Sequence, residues 1–353
     1  MNIKKILCPL LLFSPALFFV SCAKVPPARS EFILGTVCTV NLYEKGTKKL
    51  YAGVFSRIRD IDRAMSANPP AFSPEASGAA GSGESDVRRI NANAGIKPVK
   101  VSEDLIGVLE RALYYAGLSN GAFDPTVGPL VKLWGIGTEE ARIPGEGEIQ
   151  AALDLVNWRD VLIDREEGTV FLRKPGMALD LGAIAKGYAA DEAAALAEKN
   201  GVRRAIIDLG GNIFALGSRE QDAPWRIGLQ DPAGERGTYL GILPVRNKSV
   251  VTSGVYERFF EAEDRRYHHI LSTQNGRPVD NGLLAVTIIA DRSIDADALS
   301  TAVFSLGWEK GRLLVEAVPG AEAVFVFTGG SIRGTGEAME IFTLTGGKYR
   351  IEK

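Results

Sequence analysis

Thiol and imidazole groups are scarce in this chain of 353 residues, which carries three cysteines and two histidines. Cys8 and Cys22 fall in the opening stretch and Cys38 stands apart, so the sequence offers neither a disulfide framework nor a Cys/His metal set. An excess of charge of one sign is also missing. Against 41 basic residues stand 43 acidic ones, for a net charge of −2, and no bulk basic field favours nucleic acid. The pairs Arg88-Arg89 and Arg203-Arg204 read as solvated surface. Neither G-x-x-x-x-G-K-[ST] nor G-x-G-x-x-G occurs, so no standard nucleotide loop is present. What remains is ordinary apolar content in a chain long enough to bury a large core.

The first residues are not part of a fold. Lys4 and Lys5 precede an apolar run from Ile6 to Val20, and small Ser21 precedes Cys22. The run is too short for a stable membrane span and reads as a secretory signal. Its Ser-Cys ending resembles a bacterial lipoprotein signal, with Phe19 where leucine is usual. Residues 1–21 are then a signal peptide, 22–30 a tether and 31–353 the domain. Lipid on Cys22 would anchor the protein to a membrane on the extracytoplasmic (periplasmic) side. An ordinary signal peptide is the alternative. Cys38, in "FILGTVCTV", reads as a buried strand residue.

"EFILGTVCTVNLY" alternates as a first strand, and Tyr51 to Met65 has helical periodicity. "ANPPAFSPEASGAAGSGES" is a loop by composition. "SEDLIGVLERALYYAGLSNG" is a helix with a serine cap that ends at Gly121. "GTVFLRK" and "RRAIIDLGGNIFALG" read as strands, the second with a Gly-Gly turn. Ala183 to Asn200 is an Ala-rich helix closed by Gly201. "LLAVTIIA" is a buried strand leading into a helix, and "AVFVFT" with "EIFTLTGG" reads as a closing hairpin. Helices and strands alternate irregularly, so the fold class is α+β.

Four segments keep polar groups that a core would not need. "GAFDPTVGPLVKLWGIG" sets Phe123, Asp124 and Trp134 among glycines and prolines, which suits a planar ring or an ordinary connector. In "ALDLGAIAKGYAAD" a strand carrying Asp180 ends at Gly182 and Lys186 sits in the next helix's first turn. The helix dipole disfavours a lysine there unless an anion is bound, a surface position being the alternative. "YHHILSTQNGRPVDNG" holds both histidines on opposite faces of a strand, so at most one faces a given site, as a base or a structural hydrogen bonder. In "DADALSTAVFSLG", Asp297 and Thr301 share a helix face, either for a hard cation or as part of a capped helix start. Lysine, hard oxygens, aromatic rings and histidine together suggest Mg²⁺ and phosphoryl transfer.

With "IIDLGGNIFALG", "PWRIGLQDP" and "VVTSGVYERFF", these segments occur in an order that resembles the FAD:protein FMN transferase (ApbE) family of flavin-trafficking lipoproteins, from about Glu31 to the C-terminus. The resemblance implies a single ApbE-type, T-fold-like domain with two intimately packed subdomains. It implies Mg²⁺-dependent transfer of FMN from FAD to a Thr or Ser of an acceptor protein with release of AMP, and in some members hydrolysis of FAD. By the same resemblance, metal binding falls to the Ala183 carbonyl, Asp297 and Thr301, with Ser300 adjacent. FAD contacts fall to Leu34, Asn68, Ala122, Phe123, Asp124, Asp180, Lys186 and Leu271, and the base for the acceptor hydroxyl is His269. Two departures stand out. Asn68 takes the place of a frequent aromatic residue, which favours water and hydrolysis, and "HILSTQNG" lacks the family's Asp-Pro. A non-enzymatic lipid-anchored FAD carrier is the rival reading, and the Asp297/Thr301 pair argues against it.

Overall fold

The computed structural model describes residues 26–67 and 84–352. The signal sequence, Cys22 and Asn68 lie outside these residues. Among the described residues, no helix is long and apolar enough to cross a membrane.

The chain opens with β1 (Arg29–Ile33) and β2 (Thr36–Leu42), an antiparallel hairpin. The sequence reading took this stretch as one strand after a tether ending at Ser30. Instead Arg29 and Ser30 belong to β1, and Leu34 and Gly35, both at positive φ (55° and 67°), reverse the chain. Next come α1 (Lys48–Met65), α2 (Asp86–Ala92), β3 (Val99–Lys100) and α3 (Glu103–Leu118). Thr47, Ser85 and Ser102 cap the three helices by accepting from the N–H three residues on. After α3, Gly121 donates back to the Ala116 carbonyl at φ 81°, the stop read from the sequence.

There follow α4 (Gly128–Trp134), α5 (Glu146–Leu153), β4 (Val161–Asp164), β5 (Thr169–Leu172) and α6 (Ala185–Lys199). Asp180 lies in no strand, contrary to the expectation from the sequence. Only Ala178 bridges, parallel to Val127. The Asn91 side chain takes both backbone groups of Leu179, and the Asp180 N–H goes to the Pro125 carbonyl, so no ladder can form.

The second half is β6 (Ala205–Leu209), β7 (Asn212–Leu216), β8 (Trp225–Gln230), β9 (Tyr239–Val245), β10 (Lys248–Gly254), β11 (Phe259–Ala262), β12 (Arg265–His268) and β13 (Leu283–Ala290). It ends with α7 (Ser293–Glu316), β14 (Glu322–Phe327), β15 (Ser331–Gly334), α8 (Gly336–Ile341), β16 (Thr343–Leu344) and β17 (Arg350–Ile351). A kink at Gly307 (φ 73°) breaks α7, so "DADALSTAVFSLG" is its first segment. The expected closing hairpin is a correction. β14 pairs with β13 and β15, whereas "EIFTLTGG" forms the end of α8 and then β16, which pairs with β9.

Nine strands form one sheet in the order β1-β2-β6-β7-β10-β13-β14-β15-β17. Its ladders are antiparallel except β15-β17. Period-two alternation divides its side chains between two cores. Val251, Val286 and Ile288 pack with the helices α1, α6 and α7, while Val250, Ala285 and Ile289 pack with β8 and β9. Burial on both faces explains why β13 reads as a continuous apolar run. The architecture is α+β.

Candidate functional site

A cleft of about 310 Å³ gathers residues from all four polar segments. Ala122, Phe123, Asp124 and Trp134 come from the α3–α4 region, Asp180, Ala183 and Lys186 from the start of α6, His269 and Leu271 from beyond β12, and Asp297 and Thr301 from α7. The structure thus brings together most of the residues singled out from the sequence.

The helix starts set the polar end. α6 crosses α7 where Gly187 meets Ser293 and Ile294. A Cβ on Gly187 would come within 2.6 Å of the Ile294 Cα, so only glycine permits this approach. The Gly187 N–H donates to Asp297 Oδ2 at 2.8 Å. In a regular helix start that N–H would bond the carbonyl of Ala183, four residues back. Among the described residues nothing donates to the Ala183 carbonyl. One contact therefore fixes the carboxylate and frees a carbonyl beside it. Asp297 is 3 % exposed, and Lys186 Nζ lies 3.8 Å from its Oδ1 while donating to the Gly182 carbonyl at 2.9 Å.

Thr301, one turn on from Asp297, also lines the cleft. Ser300 does not line it. Its hydroxyl donates to the Asp297 carbonyl at 2.8 Å and pairs with Ser253 at 2.8 Å. Ser253 lines the cleft and lies 3.4 Å from Thr301 Oγ1. Asp295, an acid in the first turn of α7, does not cap the helix. It pairs with Arg111, and Asp191 of α6 accepts from the N–H groups of Ser293 (2.7 Å) and Ile294 (3.1 Å) instead. Burial pushes the Asp191 carboxyl up to about 6, against the opposing effect of those two N–H groups.

The histidines divide as strand alternation requires. His268 is buried with its ring edge against Phe304, its Nε2–H donating to the Val279 carbonyl and its Nδ1 accepting from Ile270. His269 faces the cleft, with Nδ1 at 3.3 Å from the Arg258 carbonyl. That oxygen can only accept, so Nδ1 holds the proton and Nε2 keeps its lone pair. Its ring is only half-buried by surface area, yet the enclosing cleft walls desolvate it, and with Arg258 alongside they push it down to about 3.

The aromatic end is rigid. Trp134 Nε1–H donates to the Gly276 carbonyl at 2.7 Å, and the Thr273 hydroxyl donates to the Gly121 carbonyl at 2.6 Å. These bonds tie the loop after His269 to the loop of Phe123. The Asp124 carboxylate is occupied in the same work, accepting from Thr126 N–H and O–H and from Trp158 N–H. Leu34 does not line the cleft, although Gly35 and Thr36 beside it do. Its N–H donates to Asp62 at 3.2 Å.

The sequence reading singled out neither Arg236 nor Glu257, Arg258, Ser253 or Asn212, all of which line the cleft. Glu257 and Arg258 stand in "VVTSGVYERFF" and Asn212 in "IIDLGGNIFALG", stretches read as motifs but not resolved into roles. Arg236 lies in the β8–β9 connection, which carried no signal.

No cluster of three His, Cys, Asp or Glu side chains able to hold a metal occurs among the described residues. One carboxylate, one freed carbonyl and one hydroxyl make a hard oxygen set that fits Mg²⁺ when substrate phosphates complete its shell. Such a set fits zinc poorly. Lys186, Arg236 and Arg258 supply positive charge for an anion in the same cleft.

The sequence matches the ApbE family over residues 34–325. It is 37 % identical to the FAD:protein FMN transferase of Treponema pallidum (strain Nichols) over 343 residues, covering 92 % of this chain and 91 % of that protein. It is 42 % identical to a protein of the same name from Klebsiella pneumoniae (strain 342) over 243 residues, 69 % of this chain and 75 % of that one. The structure resembles the ApbE protein of Thermotoga maritima MSB8, with a TM-score of 0.79 and 32 % identity over 89 % of this chain and 98 % of that chain. It also resembles the flavin transferase ApbE of Vibrio cholerae, with a TM-score of 0.76 and 25 % identity over 90 % of this chain and 99 % of that one.

Proposed function

This chain belongs to the ApbE family, and from that premise we propose that it transfers FMN from FAD to a threonine or serine of an acceptor protein, releasing AMP. The chain is a transferase, and FAD is its flavin donor. The observation that carries the finer reading is the Gly187–Asp297 hydrogen bond, which holds one oxygen of the Asp297 carboxylate, leaves the Ala183 carbonyl without a donor among the described residues, and sets the other carboxylate oxygen 3.8 Å from Lys186.

In this reading Asp297, Thr301 and the Ala183 carbonyl would hold Mg²⁺. The ion would neutralise charge on the pyrophosphate of FAD and on the departing AMP. Lys186 lies against the phosphates. The isoalloxazine or adenine ring is held at the aromatic end, beside Phe123. His269 Nε2 takes the proton of the acceptor hydroxyl as its oxygen attacks the FMN phosphorus. The bond from that phosphorus to the bridging oxygen breaks, and AMP leaves with the oxygen. The low basicity of His269 keeps the ring neutral before the attack, and the Arg258 carbonyl steadies the proton on Nδ1. With water in place of the hydroxyl, the same groups hydrolyse FAD to FMN and AMP. The amide of Asn68, where an aromatic ring is frequent in the family, supports that side activity.

Lipid on Cys22 places the enzyme on the extracytoplasmic face of a membrane. The test is incubation of the purified protein with FAD, Mg²⁺ and a candidate acceptor. AMP release with covalent flavin on the acceptor supports transfer, AMP release alone supports hydrolysis, and intact FAD supports the carrier reading.

A further inference from the structure

Asn212 is the first residue of β7, immediately after the turn at Gly210 and Gly211, both left-handed (φ 68° and 90°). It pairs with Val251 of β10, so its side chain shares the sheet face of Val251 and Ser253, the face covered by α7. It is 1 % exposed. Ser249 Oγ donates to Ser293 Oγ at 2.9 Å, and Ser293 Oγ in turn donates to Asn212 Oδ1. This relay fixes the amide: the oxygen points to Ser293, and the nitrogen turns the other way. Asn212 Nδ2 has no acceptor among the described residues.

A buried amide nitrogen without a partner is rare, because desolvating it costs stability that nothing returns. Its position supplies a reason. Asn212 lines the cleft together with Lys186, Asp297 and Thr301. Its anchor Ser293 precedes Asp297 by four residues and Thr301 by eight, so the three share one face of α7. Asn212 therefore stands among the polar residues of the cleft, and its Nδ2, closed to water, is a donor there without a partner among the described residues.

We infer that Asn212 Nδ2 donates a hydrogen bond to a pyrophosphate oxygen of bound FAD, making Asn212 a substrate-binding residue of this site. The inference rests on the reading of the cleft given under Proposed function. An amide suits the place. It adds a donor without a second positive charge beside Lys186, and its bond to an anionic oxygen is charge-assisted. The Ser249–Ser293 relay holds it ready, so binding need not order it.

The test compares FAD with riboflavin, which has the ring but no phosphate, each titrated by flavin fluorescence in the presence of Mg²⁺. Asn212→Ala should weaken FAD roughly five- to twentyfold and change riboflavin less than about twofold, the size expected when a charge-assisted bond is lost. Equal weakening of both flavins, or of neither, overturns the inference. Ser293→Ala keeps the amide but releases it, and should weaken FAD selectively by about threefold. It serves if Asn212→Ala does not fold, and the same two outcomes would count against the inference. Should wild-type protein bind FAD and transfer FMN while both variants match it, this inference alone fails. A wild-type protein that neither transfers nor hydrolyses defeats the reading beneath it.

Discussion

Gly187 and Asp297 are joined by a 2.8 Å hydrogen bond from backbone N–H to Oδ2, across the crossing of α6 and α7. The bond takes a first-turn N–H away from its own helix and gives it to a carboxylate of the other. Gly187→Ala would force the helices apart at Ser293 and Ile294. The expected cost is about 1–3 kcal/mol, the range for overpacking a close contact. Urea denaturation should show a lower midpoint, and a Mg²⁺ titration of FAD turnover should shift to higher concentration. A variant as stable as wild type with an unshifted titration would remove this contact from the argument.

Asp297→Ala should abolish metal-dependent FAD turnover, by about 10² or more. The carboxylate is the one formal charge in the oxygen set that faces the cleft with Ala183 and Thr301, and under the proposed metal assignment its removal would leave a hydroxyl and a carbonyl too weak to hold Mg²⁺ alone. AMP formation by chromatography is the measurement. Full activity in the variant would end the metal assignment.

His269→Gln should reduce transfer by about 10²–10⁴, as loss of a general base does, with FAD affinity little changed. The pH profile gives a second check. Desolvation and Arg258 hold the ring at about 3, so it stays neutral at neutral pH and the rate should show no step near 6.5 from its protonation. The stability consequence has a definite sign. The unfolded chain takes up this proton near 6.5 and the folded chain only near 3. The contribution is thus complete above 6.5 and is lost as pH falls toward 3. Wild type should lose more stability than His269→Gln between pH 7 and pH 4, and the reverse order in acid unfolding would contradict the placement of the ring.

Residues whose local pattern marked them for the cleft were legible before the structure. The Asp297/Thr301 spacing, the lysine opposed to its helix dipole and the alternation of the two histidines each needed only the sequence. So did the helix after Ser102, whose apolar period and cap agree, while at Tyr51 the apolar period alone was legible and α1 begins earlier, at Lys48 under a Thr47 cap. What was not legible depends on other elements. Asp295 reads as a cap because acids favour first turns, but Arg111 is near enough to claim it and Asp191 supplies the cap from another helix. The segment at Asp180 reads as a strand by alternation, yet Asn91 takes its backbone groups. β1 and β2 read as one strand because nothing local says that Leu34 accepts a positive φ while Asp62 binds its N–H. Asn212 enters the cleft through the pairing of β7 with β10, and Arg236 reaches it from the β8–β9 connection, placements that neither local stretch encodes.

Cys38 should be inert. It is fully buried in β2, its Sγ donates to the Ile33 carbonyl, and burial pushes the thiol up to about 12. Almost no thiolate exists at pH 8 to attack a reagent. Iodoacetamide at that pH should leave Cys38 unmodified in native protein and alkylate it completely in urea, as read by peptide mass spectrometry. Rapid native modification would mean that the hairpin opens.

Asp191 makes the last prediction, because its position couples the fold to the site. It caps α7 one turn before Asp297, and burial raises its carboxyl to about 6. Removing the cap with Asp191→Ala should cost about 1–2 kcal/mol and weaken Mg²⁺ dependence, since the helix start that carries Asp297 loosens. Asp191→Asn separates the charge from the cap. In the wild type the folded chain holds a proton up to about 6 while the unfolded chain releases it near 3.8. The contribution of this carboxyl is therefore complete below 3.8 and is lost as pH rises through 6. The asparagine has no such loss. Its stability relative to wild type should rise between pH 4 and pH 7 by on the order of 1 kcal/mol, as measured by urea midpoints at pH 4.5, 6 and 7.5. A wild type that instead gains on the asparagine variant across that range would mean that the carboxylate is better stabilised by the α7 N–H groups than by water.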